Sequence, residues 1–412
     1  MRRSRTQLVK VNLKMYLCTR RQMLVAAPAL LPFLSLRSRA ATTNVSAALS
    51  SRVAATRCMT YESELVPAMM QLFDRLDIGK LVNGKTVGIK INMTGSPTDR
   101  LGYIPLEDTV YSNPRVIGAT VHLLGRAGAR RIRVLEGAFN TGDPLEEFML
   151  QAGWEPLDIL NAAPRVEMEN TNIAGPTGRY HRFTVPGGGH IFPAFDLNHS
   201  YADCDVFVSL AKLKEHATAG VTLTMKNCFG STPISIYGES AGVDEPNESP
   251  RGGRGMFHAG HRQPSRSAPG EIRPPINHDG GYRVPRIVAD IVAARPIDLA
   301  IIDGVKSLAG GEGPWIDGVS AVHPGVLIAG LNPVSTDAVA MSIMGFDPMG
   351  DRGTPPFETS DSTLRLAEEL GVGTRDLNRI EVAGPPIDQL RFDYAGPRKL
   401  RRARHRRTYD HG

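Results

Sequence analysis

The sequence predicts an α/β fold, with a mostly parallel sheet and helices on both faces. Two observations predict it. Short apolar segments of strand type alternate with longer segments whose apolar residues recur at helical spacing. The alternation occurs at residues 85–137 and resumes at 204–384, and strand–helix–strand order is typical of right-handed parallel βαβ units. We therefore expect one main α/β domain from about residue 55 to residue 395.

The first βαβ unit has clear end signals. The strand segment KTVGIKINM (85–93) precedes a predicted helix over 113–129, where Asn113 is a suitable N-cap and Pro114 stands at the first helical position. The strand RRIRVLEG (130–137) completes the unit. Further helices are predicted at 61–82, 284–296, 335–345 (capped at Ser335 or Thr336) and 362–373. Further strands are predicted at 204–211, 298–304, 323–330 and 378–384.

Residues 238–281 interrupt this pattern. They are rich in Gly, Pro, Arg and Ser and contain few apolar residues. A run of this length without secondary structure is uncommon inside a compact domain. We therefore interpret it as either a functional lid or a disordered insertion.

The positive charge of the chain is concentrated at its two ends. Residues 1–41 hold nine Lys or Arg and no acidic residue, and the tail 398–412 carries a net charge of +6. The net charge of +6 for the whole chain therefore leaves −9 for residues 42–397. A nucleic-acid-binding fold needs its basic surface on the folded part, so we expect no nucleic-acid partner. The basic tail is predicted to be disordered.

The N-terminal region resembles a twin-arginine export signal, assigned to residues 1–41. The pair Arg20–Arg21 precedes a short apolar stretch in TRRQMLVAAPALLPFLSL (19–36), and small residues follow in SRA (38–40). The apolar stretch has about 14 residues, too few for a stable membrane span. The expected partner is the twin-arginine export machinery, and the expected location is periplasmic or extracellular. The alternatives are an interfacial anchor or a true start at Met15.

Cysteine spacing argues against a local metal centre. Beyond the signal, Cys58, Cys204 and Cys228 are widely spaced and form no C-x-x-C pair, so the sequence contains no local iron–sulfur or zinc motif. A disulfide is compatible with an exported protein but is not implied by this spacing.

Polar side chains follow several predicted strands at their carboxyl ends, where α/β proteins bind ligands. They are Lys90, Asn92, Glu136, Lys212, Lys214, His216, Asp303 and Asp337. Each has a simpler explanation when taken alone: a solvated charge for a lysine, an Asx turn for Asp303, or a favourable first-turn charge for Asp337. Their convergence on apolar strands favours a site.

The segment KLKEHATAGVTLTMKNCFG (212–230) is the strongest site candidate. His216 is predicted to act as a general base or a metal ligand, and Lys226 as a second catalytic residue. An extended TLTMKN (222–227) would place Thr224 and Lys226 on one side. The predicted substrate-binding residues are Lys90, Asn92, Lys212, Lys214 and Asn227, which suit an anionic group. Asp303 and Asp337 are predicted as metal or hydroxyl partners, whereas the pair in HAGH (258–261) is a weak metal signal.

These segments together resemble the domain of unknown function DUF362 family, over roughly residues 85–350. The resemblance is carried by VGIKIN, DVFVSLAKLKEHATAGVTLTMKNCFG, LAIIDGVKSLAGGEGP and VLIAGLNPVSTDAVAMSIMG. Members are often described as possible iron–sulfur proteins because many carry a ferredoxin module, which this chain lacks.

A more distant likeness is to the N-terminal part of lactate racemase, which uses a nickel-pincer nucleotide. That likeness implies His216 as a proton-transfer base, Lys226 as the lysine that attaches the cofactor, and His278 as a later metal ligand. The cofactors to consider are therefore a divalent metal or a nickel-pincer-type nucleotide.

The first functional hypothesis is an exported, cofactor- or metal-dependent enzyme acting on a small anionic ligand. The second is a non-catalytic protein that uses the same lysines to bind an anion. The third is a metal- or iron–sulfur-associated redox protein, which the lack of clustered cysteines disfavours.

Overall fold

A computed structural model describes residues 52–274 and 277–395. The predicted export signal (1–41) and the basic tail (398–412) lie outside these residues. The strands are β1 (Arg52–Arg57), β2 (Thr86–Lys90), β3 (Arg131–Glu136), β4 (Val166–Asn170), β5 (Tyr180–Thr184), β6 (Ala194–Asn198), β7 (Val206–Lys212), β8 (Glu215–His216), β9 (Gly220–Val221), β10 (Leu299–Gly304), β11 (Ser307–Ala309), β12 (Ser320–Val322), β13 (Val326–Gly330) and β14 (Glu381–Ala383). The α-helices are α1 (Leu65–Arg75), α2 (Ile78–Val82), α3 (Pro114–Arg126), α4 (Leu145–Gln151), α5 (Pro156–Leu160), α6 (Leu223–Asn227), α7 (Ile234–Tyr237), α8 (Gly255–Ala259), α9 (Gly280–Ala294), α10 (Pro333–Ile343), α11 (Thr363–Glu369) and α12 (Ile387–Leu390).

The main sheet has the strand order β14-β1-β13-β10-β7-β2-β3-β4. Only β13 runs antiparallel to its neighbours β1 and β10, while the other pairings in this sheet are parallel. The predicted mostly parallel α/β sheet is therefore confirmed. The carboxyl ends of β2, β3, β7 and β10 consequently meet at one edge of the sheet.

Each face of the sheet packs against its own apolar core. Along β7, Val206 and Val208 belong to the core formed with α1 and α3, whereas Phe207 belongs to the core formed with α9 and α10. Alternation of buried side chains on both faces is what a parallel sheet covered by helices requires. No helix within the described ranges combines the length and apolar character needed to cross a membrane.

The ends of two helices test the capping predictions. Asn113 accepts a hydrogen bond from the Arg115 amide at 2.9 Å and Pro114 begins α3, as expected. The predicted cap of α10 at Ser335 or Thr336 is wrong, because Asn332 accepts the Ser335 amide at 3.0 Å and the helix begins before it.

The single helix predicted over 61–82 is also wrong, since α1 and α2 are separate. Asp77 adopts a left-handed conformation (φ 57°) at the break between them. Aspartate tolerates this conformation better than most residues do, so it suits a sharp change of direction.

The described part of residues 238–281 packs against the domain. It contains α8 and the beginning of α9, and Met256 and Phe257 are buried in the core. The three cysteines Cys58, Cys204 and Cys228 are buried and free. Burial raises the pKa of the Cys58 and Cys228 thiols to about 12, which keeps them protonated near neutral pH.

A buried ion pair joins the ends of β7 and β10. Lys212 Nζ lies 2.8 Å from Asp303 Oδ2, and both side chains are fully buried. Asp303 also accepts hydrogen bonds from the Tyr61 hydroxyl and the Asn113 amide, each at 3.0 Å. The carboxylate therefore ties the start of α3 and the segment after β1 to the centre of the sheet.

We expect Asp303→Asn to lower the free energy of unfolding by about 3–5 kcal/mol, because it leaves the Lys212 ammonium buried without a counter-charge. The double variant Lys212→Met/Asp303→Asn should lose less than the single variant, since no buried charge remains. Urea denaturation measures both.

The matched control is Asp77→Asn, which breaks an ion pair with Lys80 whose side chains are 66% and 82% exposed. The loss should be far smaller than that of Asp303→Asn, because exposed ion pairs contribute little to stability. Equal losses for Asp77→Asn and Asp303→Asn would contradict the assigned role of the buried pair.

Candidate functional site

A cavity of about 520 Å³ opens beside the carboxyl ends of β2 and β3 and the segment that follows β7. Its charged and polar lining residues are Lys90, Asn92, Thr94, Asp99, Glu136, His216, Thr222, Lys226, Asn227, Arg254, His258, Glu312 and Trp315. Six candidate residues from the sequence thus meet in one cavity: Lys90, Asn92, Glu136, His216, Lys226 and Asn227.

Helix α6 carries Lys226 and Asn227 to the cavity, so the extended conformation expected for 222–227 is wrong. The Asp337 carboxylate accepts hydrogen bonds from the amides of Thr224 (2.9 Å) and Met225 (3.0 Å) and from the Thr224 hydroxyl (2.6 Å). This carboxylate, supplied by α10, satisfies backbone donors that the first turn of a helix leaves without partners.

The start of α6 is strained. Leu223 is fully buried and has φ 44°, a left-handed conformation that is unusual for a bulky residue and costs about 1–3 kcal/mol. The hydrogen bonds from the next two residues to Asp337 hold the chain in this turn. Strain of this kind persists only where the surroundings over-determine the backbone, and it is frequent at functional sites.

Lys90 and Glu136 form a closed ion pair in the wall of the cavity. Lys90 Nζ lies 2.5 Å from Glu136 Oε1 and also donates to the Ile91 carbonyl at 2.7 Å and to Asn227 Oδ1 at 3.3 Å. Burial lowers the pKa of Lys90, although Glu136 opposes this effect. Its positive charge is therefore already neutralised within the protein.

Two asparagines extend this network. Asn227 donates through Nδ2 to Ser209 Oγ at 3.0 Å, and its Oδ1 accepts from Asn92 Nδ2, also at 3.0 Å. Asn92 Oδ1 is buried and has no hydrogen-bond donor among the residues that the structure describes. A ligand N–H or O–H group that reached this oxygen would satisfy it.

Gly230 makes this close packing possible. A Cβ at this position would stand 2.9 Å from Lys90 Nζ and 3.2 Å from Glu136 Oε1. The glycine that ends KLKEHATAGVTLTMKNCFG is thus required by close approach to the ion pair.

His216 and Glu312 form a second polar pair in the lining of the cavity. The Thr218 amide donates to His216 Nδ1 at 3.2 Å, and Glu312 Oε2 lies 3.8 Å from the same nitrogen. Because a backbone amide can only donate, Nδ1 carries a lone pair and the neutral ring bears its proton on Nε2. Burial lowers the pKa of His216 well below its usual value, and the ring is neutral near pH 7.

Glu312 remains ionised in this environment. Burial tends to raise its pKa, but attraction to the His216 ring in its protonated form and hydrogen bonds from the Ala217 amide (2.9 Å) and the Trp315 indole (3.1 Å) outweigh it and lower the pKa to about 2. The hydrogen bond from its indole to Glu312 also fixes the Trp315 ring, which packs against Gly95 and Gly313 at the edge of the cavity.

Lys226 differs from the other lysines of the site. Its Nζ lies 4.0 Å from the centre of the Phe229 ring, and no residue within 52–274 or 277–395 forms a hydrogen bond or an ion pair with it. Desolvation lowers the pKa of Lys226 to about 7; the Glu312 carboxylate opposes this shift, and the positive charges of Arg254 and Lys90 add to it. Both the ammonium and the free amine are therefore populated near neutral pH.

Arg254 brings a guanidinium from the 238–281 segment. Its Nε donates to the Thr232 carbonyl at 2.7 Å, and its Nη2 donates to Asn172 Oδ1 at 2.8 Å and to the Gly230 carbonyl at 3.1 Å. Nη1 has no hydrogen-bond partner in the described part of the chain. Burial lowers the pKa to about 10, so the group stays positively charged near neutral pH.

His258 completes this side of the cavity. Burial lowers its pKa to about 4, and its ring centre lies 5.7 Å from that of Phe229. Near neutral pH it is therefore an uncharged aromatic wall.

The remaining predicted site residues lie elsewhere. Lys212 and Asp303 pair with each other, and Lys214 donates to the carbonyls of Val110 (2.7 Å) and Glu312 (3.1 Å). Asp337 caps α6, and exposed His278 contacts the Ala259 carbonyl through Nδ1. The structure does not bring Asp303, Asp337 and His278 together, and the described residues contain no group of three His, Cys, Asp or Glu that could hold a metal ion.

Sequence reasoning missed Arg254, Glu312 and Trp315. Arg254 lies in the segment interpreted as a lid or a disordered insertion, and Glu312 and Trp315 occupy a loop after β11. The only local signal for the latter is the run GGEGPW (310–315), in which an acidic and an aromatic residue stand among glycines.

Residues 87–342 match a family model described as Domain of unknown function (DUF362). No curated protein matches the chain. Among solved structures, the chain is similar to the lactate racemase apoprotein from Thermoanaerobacterium thermosaccharolyticum, with 14% identity and a TM-score of 0.32. The similarity covers 66% of this chain and 53% of the racemase chain, so the chain spans about half the length of that protein. A likeness this distant assigns no role to any residue here.

We expect Asp337→Ala to lower the free energy of unfolding by about 3 kcal/mol, because it leaves two buried amides and a buried hydroxyl without an acceptor. Urea denaturation measures the loss, and Ser342→Ala on the same helix is the control. A loss below about 1 kcal/mol would contradict the view that Asp337 holds α6 in place.

Proposed function

Because the chain belongs to the family of the domain of unknown function DUF362, which leaves the activity open, we propose a function from the cavity itself. The protein is an enzyme that acts on a small anionic substrate. Lys226 supplies a free amine to the reaction, and His216 supplies an Nε2–H donor. The observation that carries this proposal is the unpaired Lys226 amine in the same cavity as the free Nη1 of Arg254.

The cavity lining includes the Glu312 carboxylate, but the unpaired cations Arg254 and Lys226 provide positions for an anion. Lys90 is neutralised by Glu136 at 2.5 Å, so it contributes no free charge. Arg254 has no carboxylate within ion-pair distance among the described residues, and its free nitrogen suits a carboxylate or phosphate oxygen. The ammonium form of Lys226 adds a second positive charge.

The protonation states favour proton transfer or nucleophilic attack at Lys226. An amine with a pKa of about 7 is free in half of the molecules at that pH, whereas an ordinary lysine is almost fully protonated. Sequence analysis predicted His216 as the base. The Thr218 amide on Nδ1 instead supports a donor role, because the neutral ring carries its proton on Nε2.

A metal or a nickel-pincer-type nucleotide, the two cofactors considered from the sequence, would also involve the cavity that contains the Lys226 amine. A metal in this cavity would need additional ligands from a bound group, because the described residues supply no cluster of three. A nickel-pincer-type nucleotide joined to Lys226 would occupy the amine that we assign to the substrate. The intact mass of the purified protein distinguishes a cofactor-bearing Lys226 from a free one.

We also propose export by the twin-arginine route to the periplasm or the exterior, on the basis of Arg20–Arg21 and the short apolar stretch after it. Both lie outside the described residues.

We expect small inert carboxylates such as acetate and malonate to bind in the cavity and to change the fluorescence of Trp315, measured in a Trp154→Phe background. Affinity should fall as pH rises through about 7, because Lys226 loses the proton that attracts the anion. If binding raises the pKa of Lys226 by about one unit, the affinity falls about tenfold between about pH 6 and about pH 9.

Lys226→Met should abolish this pH dependence, and Arg254→Met should weaken binding at every pH. Lys80→Met, which changes an exposed lysine, is the control and should behave like the parent protein. Unchanged binding in both cavity variants would contradict the proposed anion site.

The second candidate is a non-catalytic anion-binding protein, favoured by the same Arg254 guanidinium. Such a protein needs the two cations but not the Nε2–H group of His216. His216→Ala distinguishes the two functions. If the protein is an enzyme, this variant should still bind the anion but should no longer exchange the carbon-bound hydrogen of the ligand with heavy water. Exchange that is absent in the parent protein for every anion that binds would favour the binding protein.

A further inference from the structure

We propose that Lys226 forms a covalent imine with its substrate, and that the substrate belongs to the small 2-oxo acids, in which a carbonyl adjoins a carboxylate. This inference rests on the proposed function and names the substrate class for the same site.

Among the four lysines around the site, the half-buried Lys226 has the amine that is free to react. Lys90 Nζ is held by Glu136 and by the Ile91 carbonyl, and Lys212 Nζ is held by Asp303. Lys214 donates to two backbone carbonyls. The Lys226 amine instead lies 4.0 Å from the centre of the Phe229 ring, and no acceptor among the described residues binds its hydrogens.

Arg254 supplies the group that would bind the carboxylate of the substrate. Its Nη2 lies 3.1 Å from the Gly230 carbonyl, four residues beyond Lys226, so the guanidinium adjoins the end of the segment that carries the amine. Nη1 is the nitrogen left for a ligand. An amine for a carbonyl and a guanidinium for a carboxylate, within one cavity of about 520 Å³, are the groups that a 2-oxo acid requires.

The step balances without any oxidant or reductant. The nitrogen lone pair of Lys226 attacks the carbonyl carbon and forms a C–N bond, while the C=O π pair moves to oxygen. The His216 Nε2–H can donate a hydrogen bond to that oxygen, which takes a proton from the attacking nitrogen and becomes a hydroxyl. The nitrogen lone pair then expels the hydroxyl, which leaves as water with a proton from solvent, and a protonated imine remains.

This chemistry has a pH dependence opposite to that of inert anion binding. Attack needs the free amine, so the initial rate of imine formation should rise through about pH 7, where Lys226 loses its proton. An inert carboxylate prefers the ammonium form and binds less tightly over the same range.

The test is borohydride trapping on the full chain. The protein is incubated with pyruvate or glyoxylate and sodium borohydride, and the reduced adduct is located by intact-mass and peptide mass spectrometry. We expect one adduct per chain on the peptide that contains Lys226, formed at least about 100-fold faster than on exposed Lys80, because the free amine is over about 1,000-fold more populated at pH 7 and its lower basicity offsets only part of this advantage.

Two variants make the result specific. Lys226→Arg should remove the adduct, whereas Lys80→Arg should keep it. At about pH 9, where the Lys226 amine is mostly free with or without the Arg254 charge, Arg254→Met should slow trapping of pyruvate about tenfold or more but leave trapping of hydroxyacetone, which lacks a carboxylate, nearly unchanged. Circular dichroism and urea denaturation of each variant show whether it is folded.

Absence of an adduct at Lys226 while inert carboxylates still bind would overturn the imine and leave the proposed anion site intact. Loss of anion binding as well would overturn both. A cofactor already joined to Lys226 in the purified protein, or equal labelling of Lys226 and Lys80, would also overturn the imine.

Discussion

The site depends on two hydrogen bonds that the Asp337 carboxylate accepts from backbone amides. Asp337 lies on α10, 112 positions beyond Met225, yet it supplies the acceptor that the first turn of α6 lacks. It also holds the left-handed turn at Leu223. Without this carboxylate, the strained turn has no compensation and the direction in which α6 presents Lys226 is no longer fixed. The long-range contact thus explains how a five-residue helix can carry a functional side chain.

Some charged side chains at the carboxyl edge of the sheet are paired inside the protein, and others are left without an ion-pair partner. Lys90 with Glu136, and Lys212 with Asp303, are neutralised inside the protein and stabilise the carboxyl edge of the sheet. Desolvation, together with the positive charges of Arg254 and Lys90, outweighs the Glu312 carboxylate and makes Lys226 a weak base. A buried lysine loses its proton readily, whereas an arginine stays charged, so Lys226 suits chemistry and Arg254 suits binding.

Much of the fold follows from the sequence, because apolar strand segments and helix caps are local signals. The direction of β13 does not, since an apolar run is compatible with either direction of pairing.

The site was predicted only in part. Looking for polar residues at the ends of predicted strands found Lys90, Asn92 and His216, because the carboxyl ends of parallel strands converge. It could not separate these residues from Lys212 and Lys214, whose partners come from distant segments. Arg254 and Glu312 were missed because loops carry them, and α6 was taken as extended because six residues do not distinguish period 2 from a short helix.

Lys226 has a half-buried amine that forms no hydrogen bond or ion pair with the described residues, and it loses its proton near neutral pH. Its pKa can be measured directly by labelling with acetic anhydride at a series of pH values and quantifying the Lys226 peptide by mass spectrometry, with exposed Lys80 as an internal reference. We predict a midpoint at about pH 7 for Lys226, against about 10.4 for an ordinary lysine. Equal midpoints for the two lysines would contradict the account.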